Sequence, residues 1–146
     1  MKGGETAVGQ CVATGCQPIV LVVDDNEAIR ENVGECLAME GYVCWLEGST
    51  DAALRRLQVE SRSPDVVLLD LNLPGMSVDC FVSSLKKQST WCAPIILMTG
   101  TWERDIPTGL GADALLSKPF DAGRLLEVVR DATRRAAPLR RLEPIS

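Results

Sequence analysis

The sequence predicts an α/β domain in which a five-stranded parallel sheet is doubly wound, with helices on both faces. Three observations carry that expectation. Strand-like apolar runs alternate along the chain with stretches of helical periodicity. The runs are apolar throughout, as in strands covered on both sides, and do not alternate with polar residues. Four of them end on a polar side chain. Ile19 to Val23 delivers Asp24-Asp25, Val66 to Leu69 delivers Asp70, Ile95 to Met98 delivers Thr99, and Ala114 to Ser117 delivers Lys118-Pro119. Right-handed crossovers between such strands leave a doubly wound sheet as the natural solution. In open parallel sheets ligands bind outside the carboxyl ends of the strands, so these termini place three acids, a hydroxyl and an ammonium in one crevice.

The elements follow in order. Residues 1–17 are rich in glycine and small residues without periodicity and read as a flexible leader, so the folded domain is expected over 18–137 with a short tail over 138–146. After the first strand, Asn26 can cap a helix on which Ile29, Val33, Cys36 and Leu37 share one face, and Gly41 ends it after Glu40. Tyr42 to Leu46 gives the second strand. A helix from about Thr50 to Val59 buries Ala53, Leu54 and Leu57, and Ser63-Pro64 breaks the chain before the strand that ends at Asp70. Past the turn Leu71-Asn72-Leu73-Pro74-Gly75, the positions Val78, Phe81, Val82 and Leu85 mark a third helix ending in Lys86-Lys87. Pro94 opens the fourth strand. Asp121 caps a final helix bearing Leu125, Leu126, Val128, Val129 and Ala132. Between Thr99 and Ala112 a helix is expected, yet Pro107, Gly109 and Gly111 interrupt it. A proline in a helix interior costs about 3 kcal/mol, so a shortened or irregular fourth helix is predicted.

A chain of 146 residues suits one domain with a real core. Its net charge of -5 argues against nucleic acid as the main partner, because phosphate backbones are held by clustered Lys and Arg. The basic group Arg134-Arg135 with Arg140-Arg141 reads as a solvated helix end. No apolar stretch reaches the length of a membrane span and no signal peptide is evident, so no membrane association is expected and the cytoplasm is the default location. The six cysteines lack zinc-site spacing and there is no histidine to join them. Cys36, Cys44 and Cys80 read as reduced, small hydrophobes, and Cys11 and Cys16 as the thiols most open to oxidation.

Asp24, Asp25 and Asp70 crowd three negative charges at one sheet edge, which is tolerable when a cation sits among them. Oxygen ligands of this kind suit Mg2+. Asp70 beside such a cation remains nucleophilic and can take a phosphoryl group as an acyl phosphate. Lys118 can neutralise charge from the other side, and the Thr99 hydroxyl can donate to a phosphoryl oxygen, a bond that exists only in the modified state.

The set Asp24-Asp25, Asp70 with Leu73-Pro74-Gly75, Thr99-Gly100, and Gly111-Ala112-Asp113 leading to Lys118-Pro119-Phe120 resembles the receiver domain of two-component response regulators. The resemblance runs from about Pro18 to Ala137. It implies a flavodoxin-like sheet of strand order 2-1-3-4-5 and phosphorylation of Asp70 by a histidine kinase or phosphotransfer protein. It also implies Mg2+ on Asp24 or Asp25, Asp70 and the Asn72 backbone carbonyl, a phosphoryl contact from Lys118, a switch role for Thr99, and a cis Lys118-Pro119 bond. Asn72 and Thr101 stand where side chains of this family flank the attacking water. Leu115 occupies a place usually held by Tyr or Phe, and the Pro107-Gly109 segment interrupts a helix that commonly forms part of the dimer surface, so the usual dimer is not assumed. The expected function is that of a stand-alone receiver signalling through a downstream protein, not an enzyme beyond its own phosphorylation and dephosphorylation.

Two other functions remain open at this point. One is an interaction module of the same fold that works without phosphorylation. The other is a phosphatase or phosphomutase with an aspartyl-phosphate intermediate, although such enzymes carry an acid two residues past the nucleophile where this chain has the amide of Asn72.

Overall fold

The computed structural model describes residues 17–71, 73, 76–88, 90–100 and 111–145, with side chains through residue 134. Asn72, Pro74, Gly75, Thr101, Trp102 and the Pro107-Gly109 segment lie outside the described residues, as do Cys11 and Cys16. The strands are β1 (Ile19–Val23), β2 (Val43–Glu47), β3 (Val66–Asp70), β4 (Ile95–Thr99) and β5 (Ala114–Ser117). Among the described residues the helices are α1 (Glu27–Met39), α2 (Thr50–Val59), α3 (Val78–Lys86) and α4 (Ala122–Ile145). All strand pairs are parallel and the sheet order is β2-β1-β3-β4-β5, as the sequence implied.

The central strands show why unbroken apolar runs are needed. Every residue of β1, β3 and β4 is buried. Along β1, Ile19, Leu21 and Val23 join one core with Ala53 of α2 and Val78, Phe81, Val82 and Leu85 of α3. Val20 and Val22 face the other way, into a core with Val33 and Leu37 of α1 and Leu125, Val128, Val129 and Ala132 of α4. Successive side chains point to opposite faces, so a strand covered on both sides must be apolar at every step.

Helix starts follow the capping residues. The side chain of Asn26 accepts the Ile29 N–H at 3.1 Å, Ser49 that of Ala52 at 3.1 Å, Ser77 that of Cys80 at 3.2 Å, and Asp121 that of Arg124 at 2.7 Å. Gly41 takes φ 93°, the left-handed conformation that ends α1 without a Cβ penalty.

Two strand starts are tied by aspartates. Asp65 receives the Ile19 N–H on its carboxylate at 2.7 Å and returns its own N–H to the Ile19 carbonyl at 2.7 Å. Asp113 does the same with Ile95, at 2.8 Å in both directions.

The structure departs from the sequence reading in three places. β2 starts and ends one residue later than Tyr42 to Leu46, because the Val43 N–H pairs with the Pro18 carbonyl at 2.9 Å and fixes the register from β1. The last helix continues through the expected tail to Ile145. That span includes Pro138 and Pro144, among residues that are otherwise mostly Ala, Leu, Arg and Glu. Cys80 is exposed on α3 and does not pack as a small hydrophobe.

Cys36, Cys44, Cys80 and Cys92 are free thiols. Burial pushes the Cys44 thiol up to about 11, and its S–H points at the Gly34 carbonyl, 3.7 Å away. Since the thiolate is the nucleophile, iodoacetamide at pH 8 is expected to label Cys80 and Cys92 and to spare Cys44. Peptide mapping of the labelled protein reads this directly, and equal labelling of Cys44 would contradict it.

Candidate phosphoacceptor and metal site

The site assembles at the carboxyl edge of the sheet because neighbouring strands end there in register. Val23 lies beside Leu69, Asp70 beside Met98, and Thr99 beside Ser117. Asp24 therefore emerges next to Asp70, with Thr99 ending the adjacent strand and Lys118 following the next. Asp24, Asp70 and Thr99 are buried, with 0%, 5% and 2% of their surface exposed, while Asp25 is exposed.

Lys118 links the two buried acids. Its Nζ donates to Asp24 Oδ2 at 2.9 Å and to Asp70 Oδ1 at 3.3 Å. Its backbone N–H donates to the Thr99 carbonyl at 2.8 Å, and the Lys118-Pro119 peptide is cis, as the resemblance implied. Burial pulls the ammonium pKa down, but the hydrogen bond to Asp24 and the charges of Asp70 and Asp24 outweigh it, so the net shift is upward. A raised lysine pKa stabilises the fold fully below the ordinary lysine range. That contribution fades only as pH climbs through the elevated value, so the bridge is complete at neutral pH.

Asp24 is held at several points. Its Oδ1 accepts the Asn26 N–H at 2.9 Å, a local Asx-type turn. Its backbone N–H is held by the Glu47 carbonyl at 3.1 Å, and its own carbonyl accepts from the Arg30 guanidinium at 2.8 Å. The part played by Arg30 was not legible in the sequence, where it is one more polar residue on an amphipathic helix. Glu47 was hidden too, since any residue type can offer a backbone carbonyl.

One carboxylate oxygen from each of Asp24, Asp25 and Asp70 lies within 4.8 Å of the others. Three carboxylates outnumber the cationic groups beside them, so the cluster keeps excess negative charge that a divalent cation can offset. The donor set is all oxygen, hard, and partly open to solvent through Asp25, so it suits Mg2+ with waters completing the shell. Asn72, the remaining expected ligand, lies outside the described residues.

Comparison with known proteins agrees with this reading. The family model described as the response regulator receiver domain matches residues 20–130. Among curated proteins, the phosphate regulon transcriptional regulatory protein PhoB of Pseudomonas aeruginosa is 37% identical over 123 residues, covering 82% of this chain and 53% of that protein. The sensory transduction protein RegX3 of Mycolicibacterium smegmatis is 33% identical over 121 residues, covering 81% of this chain and 51% of that protein. The chain thus spans about half the length of these relatives. Among solved structures, the chemotaxis response regulator CheY4 of Vibrio cholerae superposes with a TM-score of 0.73 at 29% identity, over 80% of this chain and 98% of that one. With a family match over residues 20–130 and relatives above 30% identity over four-fifths of its length, the chain belongs to the receiver domains of two-component response regulators.

Proposed function

We propose that the domain accepts a phosphoryl group on Asp70 from a phosphohistidine of a partner histidine kinase or phosphotransfer protein, and passes the signal on through protein contacts. The observation that supports this most is the Lys118 bridge, at 2.9 Å to Asp24 and 3.3 Å to Asp70. It holds a cation against the nucleophile before any donor arrives, and phosphoryl transfer needs chiefly positioning and charge neutralisation. In the step itself an Asp70 oxygen attacks phosphorus, the P–N bond to the donor imidazole breaks, and an acyl phosphate forms as the imidazole leaves. Lys118 then neutralises charge on the phosphoryl oxygens. Asp24, Asp25, Asp70 and the Asn72 backbone carbonyl are the groups that would hold Mg2+, which when bound supplies further positive charge to those oxygens.

Thr99 ends β4 beside this center and is the candidate reader of phosphorylation through its hydroxyl. The sequence contains no histidine, so the donor histidine belongs outside it. A cleft of about 410 Å³ between α1 and the turn after β5 adjoins the site. Ile29, Val33, Pro119 and Phe120 make it largely apolar, and Lys118 lies at its edge, which suits the approach of a partner side chain. No helix among the described residues is long and apolar enough to cross a membrane, which fits action in the cytoplasm. The role is that of a signalling domain whose chemistry is limited to its own phosphorylation and dephosphorylation.

Incubation with a small-molecule phosphodonor and Mg2+ is expected to add one phosphate to the intact mass. The adduct should be absent without Mg2+ and absent in Asp70→Asn. A wild-type protein that gains no mass under these conditions would sink the proposal.

A further inference from the structure

We infer that Arg30 is a positioning residue for the turn that carries Asp24 and Asp25, and hence for divalent-cation binding, and that glycine at position 48 is what leaves its guanidinium room; the inference rests on the metal reading of the acidic cluster given above. Asp24 lies one residue past the end of β1, with 0% of its surface exposed. Its carbonyl stands beyond Val23, the last residue of that strand in register with its neighbours, and a buried carbonyl needs a donor from elsewhere. Arg30 Nη1 is that donor, at 2.8 Å.

Arg30 closes the turn from two sides. Its backbone N–H donates to the Asn26 carbonyl at 3.0 Å, while its side chain reaches back six residues to Asp24. Asn26 in turn donates its N–H to Asp24 Oδ1 at 2.9 Å, and the other carboxylate oxygen meets Lys118. Asp24 and Asp25, two of the three clustered acids, thus sit on a turn whose two ends are both bonded to Arg30. Mg2+ demands near-ideal octahedral geometry at short range, so the height and tilt of this turn bear directly on its binding.

Gly48 supplies the clearance. A Cβ there would stand 3.1 Å from Arg30 Nη1 and 3.7 Å from its Cζ, the first closer than comfortable van der Waals contact. The backbone does not itself call for glycine at 48, since among the described residues the left-handed glycines are Gly41 and Gly111. The preceding residue, Glu47, takes the Asp24 N–H on its carbonyl at 3.1 Å. The end of β2 therefore governs Asp24 at both its amide and its carbonyl.

Isothermal titration with MgCl2 at fixed ionic strength tests this on the full chain as wild type, Arg30→Met, Gly48→Ala and the double variant. Removing a positive charge from beside a cation site favours binding by itself, so charge alone predicts tighter binding in Arg30→Met. Lost positioning predicts the reverse, and Mg2+ affinity is expected to fall about fivefold, the effect of one ordinary hydrogen bond. Gly48→Ala keeps every polar group and is expected to weaken binding too, by pushing the guanidinium off the Asp24 carbonyl. In the double variant it should add nothing to Arg30→Met, because the group it displaces is gone. Where Arg30→Met does not fold, Gly48→Ala alone decides: weaker binding supports the inference and unchanged binding overturns it. An Arg30→Met protein that binds Mg2+ as tightly as the wild type or tighter, whatever its melting temperature, would make Arg30 a purely structural brace and overturn the inference. Effects of the two substitutions that multiply in the double variant would do so too. A wild-type protein with no Mg2+ binding would instead remove the metal reading itself.

Discussion

Replacing Lys118 with methionine is expected to destabilise the cation-free domain by on the order of 3 kcal/mol. Methionine keeps a long apolar stem and removes the ammonium, leaving the buried Asp24 and Asp70 facing each other without the cation that bridges them at 2.9 and 3.3 Å. Removing one partner from a buried pair costs about 3–5 kcal/mol, because the remaining charge is left uncompensated. The Lys118 side chain is 21% exposed, so water screens part of the effect and the low end of that range applies. Urea unfolding in EDTA measures it. In excess Mg2+ the difference from wild type should narrow, since a second cation then serves the same carboxylates. A variant as stable as the wild type in EDTA would show that the bridge carries no net stability.

Phe81→Ala is expected to remove about 3–5 kcal/mol, a large share of the roughly 5–15 kcal/mol that holds a domain together. Phe81 is fully buried on α3, where it joins the core with Leu69 of β3 and Leu97 of β4. Truncating it loses transfer energy and leaves a cavity that a sheet pinned on both faces cannot easily close. The corresponding drop in melting temperature is roughly 10–15 °C for a domain of this size. Calorimetry decides the matter: a drop of only a degree or two would mean that α3 can collapse onto the gap.

Much of the architecture was legible because its signals are local. The unbroken runs that became β1, β3 and β4 could not be read as half-exposed strands, and Asn26 and Asp121 marked helix starts through hydrogen bonds spanning three residues. The site was legible for a topological reason. Parallel strands put all their carboxyl ends on one edge, so Asp24, Asp70, Thr99 and Lys118 could be grouped before any distance was known. Long-range hydrogen bonds were not legible. The Thr50 hydroxyl donates to the carbonyl of Met76, 26 residues away, and nothing near Thr50 distinguishes a hydroxyl used for tertiary contact from one used to start a helix. Arg30 reaches a backbone carbonyl, a partner with no sequence signature. The one-residue shift of β2 has the same origin, because an edge strand takes its register from its neighbour and not from its own pattern.

The aspartates at the opposite end of the sheet gain a further meaning from their positions. Asp65 stands five residues before Asp70, and Asp113 five residues before Lys118. Each locks the start of its strand to a neighbouring strand by a reciprocal pair of hydrogen bonds. At about 3.3 Å per residue, Asp70 and Lys118 are thus levelled from datum points roughly 16 Å away. A slip at either datum would carry Asp70 or Lys118 out of plane with the other. The height of Asp70 against Lys118 is gauged from the base of the sheet, at the end away from the acidic cluster.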